Sequence, residues 1–157
     1  MIDQIYTYFT IEMIFLWLNL GVLPFWLVLI IFPHSQICKV FITSIFPIFI
    51  ISLIYSYLLY TLFNESYDFF KNFELYLGLN SVLNLFSDKS FLILFWVHFL
   101  AMNLFCGGWI VKDSQKFGIN KVLMSFPLII TYFIGPIGIT LYWLIRIFYA
   151  KRINLYD

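Results

Sequence analysis

Four long apolar stretches, at residues 10–32, 40–63, 91–111 and 122–149, decide what this chain can become. Each reaches the roughly 20 residues that a helix needs to cross about 30 Å of hydrocarbon. Inside a bilayer no water completes backbone hydrogen bonds, so such stretches are stable there as helices. Composition closes the soluble alternative. Residues are 63% hydrophobic and 11% charged, under half of the roughly one-quarter charged residues that coat an ordinary soluble domain. The expected fold is all-α: a four-transmembrane-helix bundle forming one integral membrane domain over residues 1–157. The length leaves no room for a second domain.

Local signals set the ends of these spans. Thr10 can cap the first, and Glu12 then falls in its first turn, where the helix dipole favours a carboxylate. The first span ends at Pro33-His34-Ser35-Gln36, because the residue before a proline is pushed out of the helical region. The second carries Pro47 near its start and a more polar stripe of Ser52, Tyr55, Ser56, Tyr57 and Tyr60. Ser87 or Asp88 can cap the third. In the fourth, Gly135-Pro136-Ile137-Gly138 predicts a kink, since Pro136 cannot donate to the carbonyl of Tyr132. Gly107, Gly108, Gly135 and Gly138 suit close packing between helices.

Residues 64–90 form the longest connection and hold Glu65, Asp68, Lys71, Glu74, Asp88 and Lys89. Within it Phe69, Phe73, Tyr76, Leu79, Leu83 and Phe86 recur at three- and four-residue spacing, the pattern of an amphipathic helix. The reading is an amphipathic segment, one helix or two, lying in the membrane interface between helices 2 and 3.

Charge is sparse. The net charge of +1 gives no basic surface for nucleic acid, and membrane lipids are the expected surroundings. Lys71, Lys89, Lys151 and Arg152 fall on one side of the bundle, and Lys39, Lys112, Lys116 and Lys121 on the other. The counts tie, but the second set sits in shorter loops, which places those loops on the cytoplasmic side. Cys38 and Cys106 lie far apart without metal-ligand spacing and read as reduced apolar residues; no metal and no cofactor is expected. Residues 1–8 contain Asp3 and no Lys or Arg, unlike a secretory signal or a transit peptide, so the first apolar stretch is expected to remain as a span. Heavy use of Phe, Ile, Asn, Tyr and Lys resembles an AT-rich coding sequence and points to a bacterial inner membrane or an organelle membrane.

Chemistry, if any, centres on the third span, which holds the one His inside an apolar stretch, His98. At about 100° per residue, His98, Met102, Phe105 and Trp109 share a face, and Asn103, Cys106 and Gly107 lie on another. His98 and Asn103 therefore cannot converge on one small atom from a straight helix. They would act on a broad ligand, or with Asn19, Tyr55 or Ser56, and Thr131, Tyr132 or Arg146 from other spans. The plainer reading makes His98 and Asn103 interhelical hydrogen-bond partners, worth about 1 kcal/mol each. No hydrolytic serine motif, phosphate loop, metal cluster or carboxylate pair is present. An imidazole titrates near neutral pH, so proton transfer by His98 is the chemistry these residues permit. A substrate reaching it should be apolar.

Three blocks carry a family resemblance. The first is Asn19-Leu20-Gly21-Val22-Leu23-Pro24-Phe25-Trp26, followed by Pro33. The second is His98-Phe99-Leu100-Ala101-Met102-Asn103-Leu104-Phe105 with Gly107, Trp109 and Asp113. The third is Pro127 and then Gly135-Pro136-Ile137-Gly138. In order and spacing the chain resembles the abscisic-acid-deficient-four-like, neoxanthin-synthase-like family of small polytopic membrane proteins. For plant members the resemblance implies isomerisation of an epoxy-carotenoid to an allenic one, which needs an acid to open the epoxide and a base to take a carbon-bound proton. Here it implies His98 and Asn103 as catalytic residues and Asn19, Trp26, Trp109 and Tyr132 as substrate-binding residues. The ligand would be a carotenoid or a related isoprenoid lipid.

Two charges of the family pattern are missing. Asn103 stands where Asp is common, and plant-type members have Arg near Gly108. Asn keeps the shape and hydrogen-bonding capacity of Asp but cannot take up a proton as a base. The alternative is therefore a non-catalytic protein, a subunit or assembly factor of a larger membrane complex. A homo-oligomer fits the first reading, whereas migration as a lone monomer or homo-oligomer in mild detergent would count against the second.

Overall fold

The computed structural model describes residues 9–151 and 153. The expectations about residues 1–8 and about Arg152 lie outside the described residues. Among the described residues the regular structure is helical: α1 (Ile11–Ile31), α2 (Phe46–Asn64), α3 (Leu79–Phe86), α4 (Lys89–Lys116), α5 (Lys121–Phe133) and α6 (Gly135–Ala150). A π-type turn at Cys38–Ile42 and a 3₁₀ stretch at Phe69–Tyr76 lie in the connections. Among the described residues three helices, α1, α2 and α4, are long and apolar enough to cross a membrane.

Helix ends follow local chemistry. Thr10 caps α1 by accepting from the Met13 N–H at 3.3 Å. Asp88 caps α4, its Oδ1 accepting from the N–H groups of Ser90 and Phe91 at 2.8 and 3.3 Å. The second span begins later than residue 40. The π-type turn ends at Thr43, and Ser44 Oγ accepts from the Phe46 N–H at 3.1 Å, placing Pro47 in the first turn, where its missing N–H costs nothing. The third helix runs past both apolar edges, to Lys89 and Lys116, because polar residues extend a helix once its apolar middle is set.

The fourth stretch differs most from expectation. Instead of one kinked helix it forms two, α5 and α6, separated at Ile134, whose φ of −138° and ψ of 81° are non-helical. Pro136 thus sits at the start of α6, a position proline favours, rather than inside a helix it would bend.

The chain forms two compact units. The first comprises Met1–Gly21 and Ile50–Ala101. In it α1 and α4 run parallel: Lys89 Nζ meets Glu12 Oε1 at 3.0 Å, and Trp96 Nε1 donates to Asn19 Oδ1 at 3.3 Å, both pairs 77 residues apart. Its interior holds Leu18, Ile51, Leu58, Leu62, Ile93 and Val97. The outward sides of α1 and α2 carry exposed Phe15, Trp17, Leu20 and Leu53, a distribution that suits lipid better than water. The connection between α2 and α4 exposes Phe70, Phe73, Tyr76 and Leu79. Leu85 is the buried residue of α3.

The second unit comprises Val22–Phe49 and Met102–Asp157. Its interior holds Val22, Trp26, Leu29, Ile110, Leu128 and Tyr142. Past the end of α1, the Pro33 carbonyl accepts from Gln115 Nε2 at 2.7 Å, and Ser125 Oγ, which donates to the Lys121 carbonyl at 2.7 Å, lies 3.3 Å from the Ile30 carbonyl.

Candidate functional site

His98 belongs to the first unit. It is exposed on α4 and lines an open pocket of about 190 Å³ with Ile51, Ser52, Tyr55, Val97 and Ala101. The α2 polar stripe supplies two of these groups, Ser52 and Tyr55; of the α2 partners expected for His98, Tyr55 lines the pocket and Ser56 does not. The pocket thus offers an imidazole and a phenol within one lining. Its size is below the roughly 300 Å³ at which pockets begin to enclose most of a drug-sized ligand.

Two larger apolar grooves open on the same unit. One, of about 560 Å³, is lined by Phe9, Ile14, Trp17, Leu18, Leu53, Ile54 and Tyr57. The other, of about 480 Å³, lies between α1 and α4, with Phe15, Ile93 and Trp96 along it and Glu12 and Lys89 in its lining. Asn19 lies on α1 and links it to α4. Its Nδ2 donates to the Phe15 carbonyl at 2.7 Å, and its Oδ1 accepts from Trp96. Both ends of this amide are engaged within the protein.

Trp26, Asn103 and Tyr132 come together in the second unit. The Trp26 and Tyr132 rings meet edge to face at 5.4 Å, and Trp26 covers Gly107, where a Cβ would stand 2.8 Å from its ring. Asn103 is buried, and its Nδ2 donates to the Tyr132 carbonyl at 3.5 Å. That is the carbonyl Pro136 leaves without a helical donor, so Asn103 fills a vacancy created by the chain's own proline. Gly135 lies directly against the Asn103 amide, and Gly138 against Thr131, so closely that a Cβ on either would collide. Asn103 therefore stands at the α5–α6 junction, in a different unit from His98.

Trp109 points to another cluster, packing edge to face on Tyr142 at 5.6 Å. Asp113 Oδ2 accepts there from Tyr142 Oη and from Arg146 Nε, both at 2.7 Å. The Arg146 guanidinium also lies 4.8 Å from the centre of the Phe117 ring. Sequence reasoning named Asp113 and Arg146 separately and missed their pairing. The signal was present: an arginine in an apolar stretch requires a counter-charge, and Asp113 is the one carboxylate between Asp88 and Asp157. Among the described residues no group of three or more His, Cys, Asp and Glu side chains comes together that could hold a metal ion.

Comparison with known proteins bears on the blocks that carry this geometry. A relative from Arabidopsis thaliana, Protein ABA DEFICIENT 4, chloroplastic, is 26% identical over 122 residues, covering 76% of this chain. The chain spans about half of that relative's length, 54%. No solved structure matches the chain significantly. The ABA DEFICIENT 4-like family model matches residues 13–142, which include His98, Asn103, the Trp26–Tyr132 contact, Asp113 and Tyr142. With most of its length matched, the chain belongs to the ABA DEFICIENT 4-like family.

Proposed function

We propose that this protein is a multi-pass membrane protein that draws an end group of a carotenoid or related isoprenoid lipid from the bilayer into the His98 pocket and isomerises it by proton transfer. The supporting observation is that His98 and Tyr55 line one pocket open to the helix surface. Isomerisation of an epoxide end group needs a proton delivered to oxygen as the C–O bond breaks, and a proton taken from carbon as a new double bond forms. No atom is gained or lost, so one donor and one acceptor suffice. Tyr55 gives the proton and His98 takes one. The remainder of the ligand stays along the apolar outer faces of the helices.

In this reading residues 1–157 form one membrane domain with four crossings, α5 and α6 together making the fourth. The stretch from Phe69 to Phe86 lies in the interface with its exposed aromatic residues in the headgroup layer. The locations carried forward are a bacterial inner membrane or an organelle membrane.

The engagement of Asn103 with the Tyr132 carbonyl favours a second reading. A residue occupied in closing a helix junction is not free to act on a substrate, which suits a non-catalytic subunit or assembly factor. Pigment and lipid extraction from the detergent-purified protein, beside carotenoid profiling of a deletion strain, separates the two. The enzymatic reading expects bound isoprenoid, an altered carotenoid profile on deletion, and the same alteration in His98→Ala and Tyr55→Phe. Unchanged carotenoids in the deletion strain, with stable co-purification of larger partners, would overturn it.

A further inference from the structure

We propose that the groove between α1 and α4 is a phospholipid site selective for a zwitterionic headgroup bearing a primary ammonium. The groove of about 480 Å³ is apolar along Ile11, Phe15, Leu92 and Ile93 and carries charge at Glu12 and Lys89. Glu12 is in the first turn of α1, and Lys89 is the first residue of α4. Because the two helices run parallel, these charges stand side by side at one end. The Phe15 and Trp96 rings, 5.5 Å apart, lie further along. An amphiphile has this distribution: a charged end at the helix starts and an apolar body along the helices.

The ion pair itself indicates which headgroup fits. Nζ and Oε1 are 3.0 Å apart, yet the two side chains are 77% and 67% exposed. A pair so open to solvent contributes little stability, so exchanging its internal contact for a ligand's charges costs little. Lys89 donates to a phosphate oxygen, and Glu12 accepts from an ammonium N–H. Phosphatidylethanolamine offers both groups. Phosphatidylcholine keeps the positive charge but has no N–H to donate. Phosphatidylglycerol carries a net negative charge and leaves Glu12 without a counter-charge. This inference rests on α1 and α4 spanning the bilayer and is independent of any role for His98.

The test is native mass spectrometry of the full chain, delipidated in mild detergent and then offered phosphatidylethanolamine, phosphatidylcholine or phosphatidylglycerol at equal concentration. The expected result is one phosphatidylethanolamine retained about fivefold better than either of the others. Glu12→Gln should lower phosphatidylethanolamine retention to the phosphatidylcholine level, and Lys89→Gln should weaken retention of all three. Both side chains are exposed, so neither change removes core packing. Equal retention of the three lipids, a preference for phosphatidylglycerol, or a phosphatidylethanolamine preference that survives Glu12→Gln would each overturn the proposal.

Discussion

Asp113 and Arg146 meet through Oδ2 and Nε at 2.7 Å, with side chains only 8% and 2% exposed. One lies near the end of α4 and the other in α6, so the pair joins elements distant in sequence. Tyr142, one helical turn before Arg146, donates to the same oxygen. The guanidinium is thereby neutralised within the second unit, and Phe117 covers its face.

Asp113→Asn should destabilise the protein by about 3–5 kcal/mol, because a buried guanidinium loses its counter-charge. Tyr142→Phe removes a donor to a buried carboxylate and should cost about 1.5–3 kcal/mol. The double change Asp113→Leu with Arg146→Met should cost far less than the sum of its two single changes, since it removes both charges together. Unfolding of the purified variants in mild detergent, followed by helical signal against denaturant, reads all of these. Strict additivity would mean the pair is not coupled.

The α5–α6 junction is expected to discriminate between two glycines. A Cβ at Gly138 runs into the backbone of Thr131 as well as its hydroxyl. The backbone cannot yield, so Gly138→Ala should cost about 1–3 kcal/mol as overpacking, despite the better helix propensity of alanine. At Gly135 the obstacle is the Asn103 side chain, which can turn away at the expense of its bond to Tyr132. Gly135→Ala should therefore cost less, and combining it with Asn103→Ala should be clearly less than additive. The same unfolding measurement checks this, and a Gly135→Ala effect as large as that of Gly138→Ala would contradict it.

Cys38 lies in the connection between α1 and α2 and is fully buried. Burial pushes its thiol up from 9.0 to about 11, because the thiolate would lose hydration without gaining a charged partner. The raised value means that the neutral thiol is the form compatible with the fold. Its contribution to stability is complete below about pH 9 and falls as pH rises from 9 towards 11. Maleimide labelling of Cys38 should therefore be negligible at pH 7 in the folded protein and increase steeply above about pH 10. Rapid labelling at pH 7 without unfolding would show that the site is open.

Periodicity and hydropathy made the long helices legible, because crossing length and apolar content are local properties of a stretch. Caps at Thr10 and Asp88 were legible for the same reason: each acts within three residues of itself. The end of the fourth stretch as a single helix was not. A Gly-Pro step reads equally as a kink or a break, and the choice depends on whether another element satisfies the freed backbone. Asn103 reaches Tyr132 from 29 residues away, and no local pattern encodes that contact. Tyr55 is one of several candidate partners of His98, and the choice among them waits on packing, since side chains on different helices share a pocket only after the helices pack.

By itself, then, the sequence determined a helical, membrane-compatible chain with an imidazole in its third apolar stretch and a family pattern spread over three blocks. Tertiary structure alone decided that Asn103 closes a helix junction, that Arg146 finds Asp113, and that Glu12 stands beside Lys89. The physical reason lies in range. Helix formation and apolar burial are set by spacings of three and four residues along the chain. Charge neutralisation and backbone completion are settled by whichever side chain arrives within about 3 Å, at any separation in sequence.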